Sequence, residues 1–184
     1  QRRGSSVSRM FEVTIEPGDL IHCDIGINSQ YVQLHTDMQW VAYILREGEK
    51  QVPQDLQALL DCGNRFRQIV MENMHVGKQG NAVFTAAMRQ AKAEGIQPML
   101  YSHPVGTFAH GAGPTIGLYT NQGFVPGTGE RTIEEDTCFS LELNVYDNIS
   151  CWDGQRVFIY LEENICRAAE NDYIDGHQTK LLLI

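Results

Sequence analysis

The chain has 184 residues, 42% hydrophobic and 20% charged, with a formal net charge of −9. That length suits one domain with its own hydrophobic core. The acidic balance argues against a nucleic-acid-binding protein, which would carry a basic patch, and no apolar run approaches the ~18 residues that span a bilayer.

The chain opens on Gln1, in the polar run Gln1 to Ser6, which reads as a piece of a longer protein and leaves the start irregular to about residue 10. Glu16-Pro17-Gly18-Asp19 is a turn signal. A strand is expected from Leu20 to Ile27, with Ile21, Cys23, Ile25 and Ile27 as its apolar face and His22, Asp24 and Gly26 opposite. After a loop at 28–30, a second strand is expected from Tyr31 to about Tyr43. It puts Val32, Leu34, Met38 and Trp40 on one face and Gln33, His35, Asp37 and Gln39 on the other. Apolar residues then fall at helical spacing from Pro53 to Met74 (Leu56, Leu59, Leu60, Phe66, Ile69, Val70), with Pro53 suited to the first turn. A second helix is expected from Asn81, as its N-cap, to Ala93, stopped by Gly95.

The stretch Ser102 to Gly113 carries two histidines, His103 and His110, seven residues apart. On an unbroken strand their rings would point to opposite faces. Pro104 and Gly106 let the chain bend, so both can converge on one site. A glycine-rich connection leads to a strand from Cys138 to Val145, with Phe139, Leu141, Leu143 and Val145 facing the core and Ser140, Glu142 and Asn144 opposite. Trp152-Asp153-Gly154 supplies a turn. The return strand, Val157 to Glu162, places Glu162 with Phe158 and Tyr160, while alternation puts Glu163 on the apolar side. The tail, 176–184, reads as a last strand. The five cysteines (Cys23, Cys62, Cys138, Cys151, Cys166) are widely spaced with no C-x-x-C, so they read as reduced, mostly buried thiols.

Two hairpins each present a carboxylate pair. Asp24 and Asp37 are equidistant from the loop at Gln30 and Tyr31, and Glu142 and Glu162 are equidistant from Trp152. In symmetric hairpins the members of each pair face each other, with Cβ atoms ~4.5–5.5 Å apart, where like charges are destabilising. No Arg or Lys falls on these faces, so divalent cations are the natural means of offsetting the charge. Four carboxylates and one imidazole suit Mn²⁺, Co²⁺ or Zn²⁺. Five such side chains suggest two ions about 3.5–4 Å apart.

These residues resemble the pita-bread metallopeptidases, the family of methionine aminopeptidase, aminopeptidase P and prolidase. There the metal ligands come in the order Asp, Asp, His, Glu, Glu, matched here by Asp24 in Asp24-Ile25-Gly26, Asp37 after Thr36, His103, Glu142, and Glu162 in Leu161-Glu162-Glu163. His103 and His110 form a His-x-x-Gly-x-x-x-His arrangement. The overall look is nearest the aminopeptidase P and prolidase branch. Two departures stand out: the aspartates are two positions further apart than is usual, and Tyr160 stands where prolyl-specific relatives tend to carry Arg.

The resemblance implies an α+β pita-bread fold: a curved antiparallel sheet, helices on its outer face, and a pseudo-two-fold repeat of carboxylate-bearing hairpins. Residues 1–184 would be a catalytic domain incomplete at its N-terminal side. The implied activity is dinuclear metal-dependent hydrolysis of N-terminal peptide bonds, as in an aminopeptidase or Xaa-Pro dipeptidase, through a hydroxide shared by two ions. Manganese is favoured, with cobalt or zinc as alternatives. Asp24, Asp37, His103, Glu142 and Glu162 would hold the ions. Glu142 would also take the nucleophile's proton, and His110 would hydrogen-bond the substrate carbonyl. The implied partner is a peptide or dipeptide, with no nucleic acid and no membrane; a homodimer is compatible, and the cytoplasm is the favoured compartment. The alternatives on the same fold are a creatinase-like small-molecule amidinohydrolase and a non-catalytic protein-binding module.

Overall fold

The structure, a computed structural model, describes residues 1–4, 13–106, 110–168 and 172–184. The expectation of irregular chain to residue 10 therefore falls in part, at 5–10, outside the described residues.

Two helices pack on one face of a mostly antiparallel sheet, the α+β arrangement expected. The strands are β1 (Leu20–Ile25), β2 (Asn28–Ser29), β3 (Leu34–His35), β4 (Met38–Tyr43), β5 (Pro98–Leu100), β6 (His103–Pro104), β7 (Thr137–Ile149), β8 (Gln155–Arg167), β9 (Tyr173–Asp175) and β10 (Leu182–Leu183). The helices are α1 (Gln54–Asn73) and α2 (Gly80–Ala93). The main sheet runs in the order β1-β4-β8-β7-β5, with β6 also on β7, β9 on β8 and β10 on β4. β10 realises the expected last strand and runs parallel to β4.

The central hairpin, β7–β8, follows from alternation. Phe139, Leu141, Leu143 and Val145 on β7, with Val157, Ile159 and Leu161 on β8, are buried. Helix α1 lays Leu56, Leu59, Leu60, Phe66, Ile69 and Val70 against them. Each such side chain stabilises the fold by ~1.5–3 kcal/mol when fully buried. The helix approaches closely because Gly63 has no side chain; a Cβ there would lie 2.8 Å from Leu161 Cδ1. The opposite face of β7 and β8 carries Ser140, Glu142, Asn144, Glu162 and Asn164, with the rings of Tyr146, Phe158 and Tyr160 toward the β7–β8 turn.

Several expectations need correction. The second strand is not continuous from Tyr31: it is broken into β3 and β4, and Tyr31, Val32 and Leu34 are exposed. Cys23, Ile25 and Ile27 do not form a buried apolar face, because β1 is an edge strand with β4 as its one neighbour in the main sheet. Asn81 is not the N-cap of α2, which is Gln79. Asn81 lies buried in the first turn, where its side-chain amide donates to the Val125 carbonyl and accepts from the Val125 N–H, both at 2.9 Å. The cysteines are free thiols as expected, but none is fully buried: Cys23 and Cys138 are exposed and the other three half-buried. Among the described residues no helix is long and apolar enough to cross a membrane.

Candidate metal centre

The polar face of the sheet brings the predicted residues together by register. Glu142 and Glu162 are direct partners across β7 and β8, as the hairpin symmetry predicts. The first hairpin is displaced: Asp24 stands opposite Gln39, not opposite Asp37. The mirror point lies between Tyr31 and Val32, because β2 and β3 add a small ladder of their own pairing Asn28 with His35. A shift of two residues preserves the face, so both aspartates still point into the site. Asp24, Gln39, Glu162 and Glu142 thus form one row across four strands. In the row beside it, His103 of β6 faces Ser140, which faces Asn164, and the Ser140 hydroxyl lies 3.5 Å from the Asp37 carbonyl oxygen.

Ligand-capable atoms of Asp24, Asp37 and Glu162 lie within 4.8 Å of one another, as do those of His103, Glu142 and Glu162 and those of Asp37, His103 and His110. The three groups share members, so all five predicted ligands and His110 form one cluster. The glycine of the first motif has a steric reason: a Cβ on Gly26 would come within 2.7 Å of the Thr36 carbonyl oxygen, just before Asp37.

The hydrogen bonds orient the cluster toward a cation. His103 Nδ1 lies 3.1 Å from the Pro104 carbonyl oxygen. A carbonyl can only accept, so Nδ1 carries the proton and Nε2 presents a lone pair. Nε2 is 3.8 Å from both Asp37 Oδ2 and Glu142 Oε2, too far for a hydrogen bond, and is buried without a partner. Glu162 Oε2 is also buried and unpartnered, while Oε1 accepts from the Ser140 hydroxyl. Glu142 Oε1 accepts from the Gln39 amide at 2.6 Å, and the Gln39 oxygen accepts from His22 Nε2 at 2.7 Å. Buried lone pairs that face one another are destabilising unless a cation lies between them. The donor set therefore fits hard or borderline divalent ions.

Protonation in the metal-free chain reflects the same strain. Burial, reinforced by the neighbouring Glu162, pushes Glu142 up to about 8. Burial pushes Glu162 up to about 7, with the Ser140 hydrogen bond opposing and Asp37 reinforcing. Asp37 is also raised, chiefly by burial, and burial lowers His103. His110 is exposed at the rim and stacks on His103 at 3.9 Å between ring centroids, so the two histidines do converge. Residues 107–109 of their motif lie outside the described residues.

Sequence reasoning missed two members of the site. Gln39 and Ser140 hold the carboxylates in place, and their positions on the polar face of alternating strands were the available signal. Glu163, expected on the apolar side, is buried there by ion pairing. It accepts from Arg67 at 2.8 Å and faces His177 Nδ1 at 3.1 Å.

An antiparallel sheet with helices on one face and a carboxylate–imidazole cluster on the other is the pita-bread arrangement. The chain belongs to metallopeptidase family M24, whose family model matches residues 4–167. Among curated proteins, none matches it at the sequence level. Among solved structures it is similar to an X-Pro aminopeptidase from Thermotoga maritima, with 17% identity and a TM-score of 0.67, over 92% of this chain and 43% of that one. It is likewise similar to a prolidase from Pyrococcus furiosus, with 15% identity and a TM-score of 0.63, over 89% of this chain and 43% of that one. A methionine aminopeptidase from Rickettsia prowazekii matches at 16% identity and a TM-score of 0.59, over 87% of this chain and 65% of that one. Likeness at this level of identity shows the pita-bread fold. The chain spans less than half the length of the first two structures.

Proposed function

We propose that residues 1–184 form a catalytic domain that binds two divalent cations, manganese first among them, and hydrolyses the N-terminal bond of a peptide or dipeptide. Asp24, Asp37, His103, Glu142 and Glu162 would hold the ions. Ions bound there would supply the nucleophile, by lowering the pKa of water from ~15.7 towards ~7.

The protein's own groups divide the remaining work. Glu142 has one oxygen fixed by the Gln39 amide and the other toward His103, so it is positioned to accept a proton from the attacking water. His110, exposed above His103, is free to donate a hydrogen bond to the substrate carbonyl as charge develops on its oxygen. Gln39 and Ser140 keep the two glutamates from rotating away.

The observation that carries this reading is the pair of buried, unpartnered acceptors, His103 Nε2 and Glu162 Oε2, within one cluster. The test is metal analysis and calorimetry on the chain and its variants, together with hydrolysis of a dipeptide library that includes Xaa-Pro members. Asp24→Ala and Glu162→Ala should lose most bound Mn²⁺. His110→Ala should keep it and, in the intact enzyme, lower turnover by about 10²–10³. Full metal retention in Glu162→Ala would reject the assignment.

A further inference from the structure

Cys138 and Cys166 are the one pair of cysteines directly opposed across a ladder of the described residues. The kind of rung they form follows from the backbone. The Cys138 carbonyl accepts from the Val105 N–H at 2.9 Å, so it points toward the β6 side and away from β8. In a strand a residue's N–H and C=O point the same way, so Cys138 exchanges no backbone bonds with Cys166. Such a non-hydrogen-bonded pair brings Cα atoms to about 4.5 Å and side chains closest together. A disulfide accepts Cα separations of about 4.4–6.8 Å.

Their location matters. Along β7 and β8, successive rungs on the polar face are Glu142–Glu162, Ser140–Asn164 and Cys138–Cys166. The thiols therefore lie on the same face as the metal ligands, four residues away along each strand, roughly 13 Å at 3.3 Å per residue. The carbonyl of Cys138 also anchors Val105, next to the strand that carries His103. Cys138 is exposed, so a small oxidant can reach it, and Cys166 is half-buried behind it. The remaining cysteines lack such a partner: Cys23 faces Trp40, Cys62 is on α1, and Cys151 is in the β7–β8 turn.

We infer that Cys138 and Cys166 form a reversible disulfide site on the metal-binding face, oxidised by hydroperoxides and restored by thiols. The Cys138 sulfur attacks hydrogen peroxide, giving a sulfenic acid and releasing one water. The Cys166 sulfur then attacks that sulfenic sulfur, the S–S bond forms, and the hydroxyl leaves as a second water. The two thiols together lose two electrons and two protons, and the peroxide takes up both.

The experiment treats the purified chain with one equivalent of hydrogen peroxide. Free thiols are counted in denaturant and intact mass is recorded before and after dithiothreitol. The expected result is a fall from five thiols to three. Intact mass should drop by about two mass units, the two hydrogens given up in a two-electron thiol–disulfide oxidation, and dithiothreitol should restore it in full. Digestion with a glutamate-specific protease separates the candidates, because Glu142 lies between Cys138 and Cys151 and Glu162 between Cys151 and Cys166. The linked peptides should contain Cys138 and Cys166. The link should persist in Cys151→Ser and vanish in Cys138→Ser. Five surviving thiols, a bridge between any other two cysteines, or loss that dithiothreitol does not reverse would overturn the proposal.

Discussion

At the scale of single residues, the centre depends on uncharged neighbours as much as on its carboxylates. Gln39 occupies the row between Asp24 and Glu162, where a fifth acidic group would add repulsion. Its amide instead donates to Glu142 and accepts from His22, which stacks on Tyr160 at 4.7 Å. The chain from Tyr160 through His22 and Gln39 thus ends on the group proposed to move the proton. Replacing Gln39 with leucine, close to it in volume, leaves Glu142 Oε1 without a donor in a half-buried setting. An unmet buried acceptor costs about 1–3 kcal/mol. The metal-free Gln39→Leu chain should therefore unfold at lower urea, with stability reduced by that amount. The His22→Ala variant, which removes only the far end of the chain, should lose less. Equal stability of Gln39→Leu and the parent chain would mean that the amide does not hold the carboxylate.

At the scale of elements, the two hairpins show what alternation and symmetry can convey. β7 and β8 are long and their turn is tight, with Asp153 and Gly154 both at positive φ, so counting outward from Trp152 reaches the true partners. The first hairpin has a wide tip, where β2–β3 pairing and the positive φ of Gln33 move the mirror point by one residue. A one-residue move of the centre displaces partners by two, which changes who faces whom but not the face. The face that Asp24 and Asp37 share was therefore legible, while their pairing was not. The helices were legible from apolar spacing, yet the role of Asn81 was not, because cap propensity says nothing about a distant loop that needs its amide. Asn81 satisfies both backbone groups of buried Val125 from the first turn of α2. Asn81→Ala should cost about 2–4 kcal/mol, since two buried backbone groups lose their partners at once. The check is equilibrium urea unfolding. In an Asn81→Asp variant the Val125 N–H keeps its acceptor, but a buried carboxylate oxygen faces the Val125 carbonyl, so its loss should grow as pH rises and the carboxyl ionises.

At the scale of the whole molecule, the sheet positions its acidic residues without any Lys or Arg among the ion-pair partners described for Asp37, Glu142 and Glu162. The folded, metal-free chain is therefore under electrostatic strain that should appear as a pH dependence of stability. Glu142 and Glu162 hold protons in the folded state up to about 8 and about 7, whereas in the unfolded chain they ionise near 4.5. Between those limits the folded state binds more protons than the unfolded one, so stability falls as pH rises. Buried neutral His103 acts in the opposite direction, but only below its ordinary value of 6.5. His22, also lowered chiefly by burial, acts in the same direction as His103. From pH 6.5 to 8 the carboxylates should dominate, with a loss of about 2 kcal/mol from Glu142. The Glu142→Gln variant keeps both histidines, so the difference between its slope and that of the parent chain isolates the carboxylate's contribution. Divalent cations that compete with these protons should flatten the slope of the parent chain and raise its unfolding midpoint most at the upper end of the range. A metal-free chain whose stability rises steadily from pH 6.5 to 8, in parallel with Glu142→Gln, would show that the cluster carries no such strain, and the physical reason for placing cations there would fall with it.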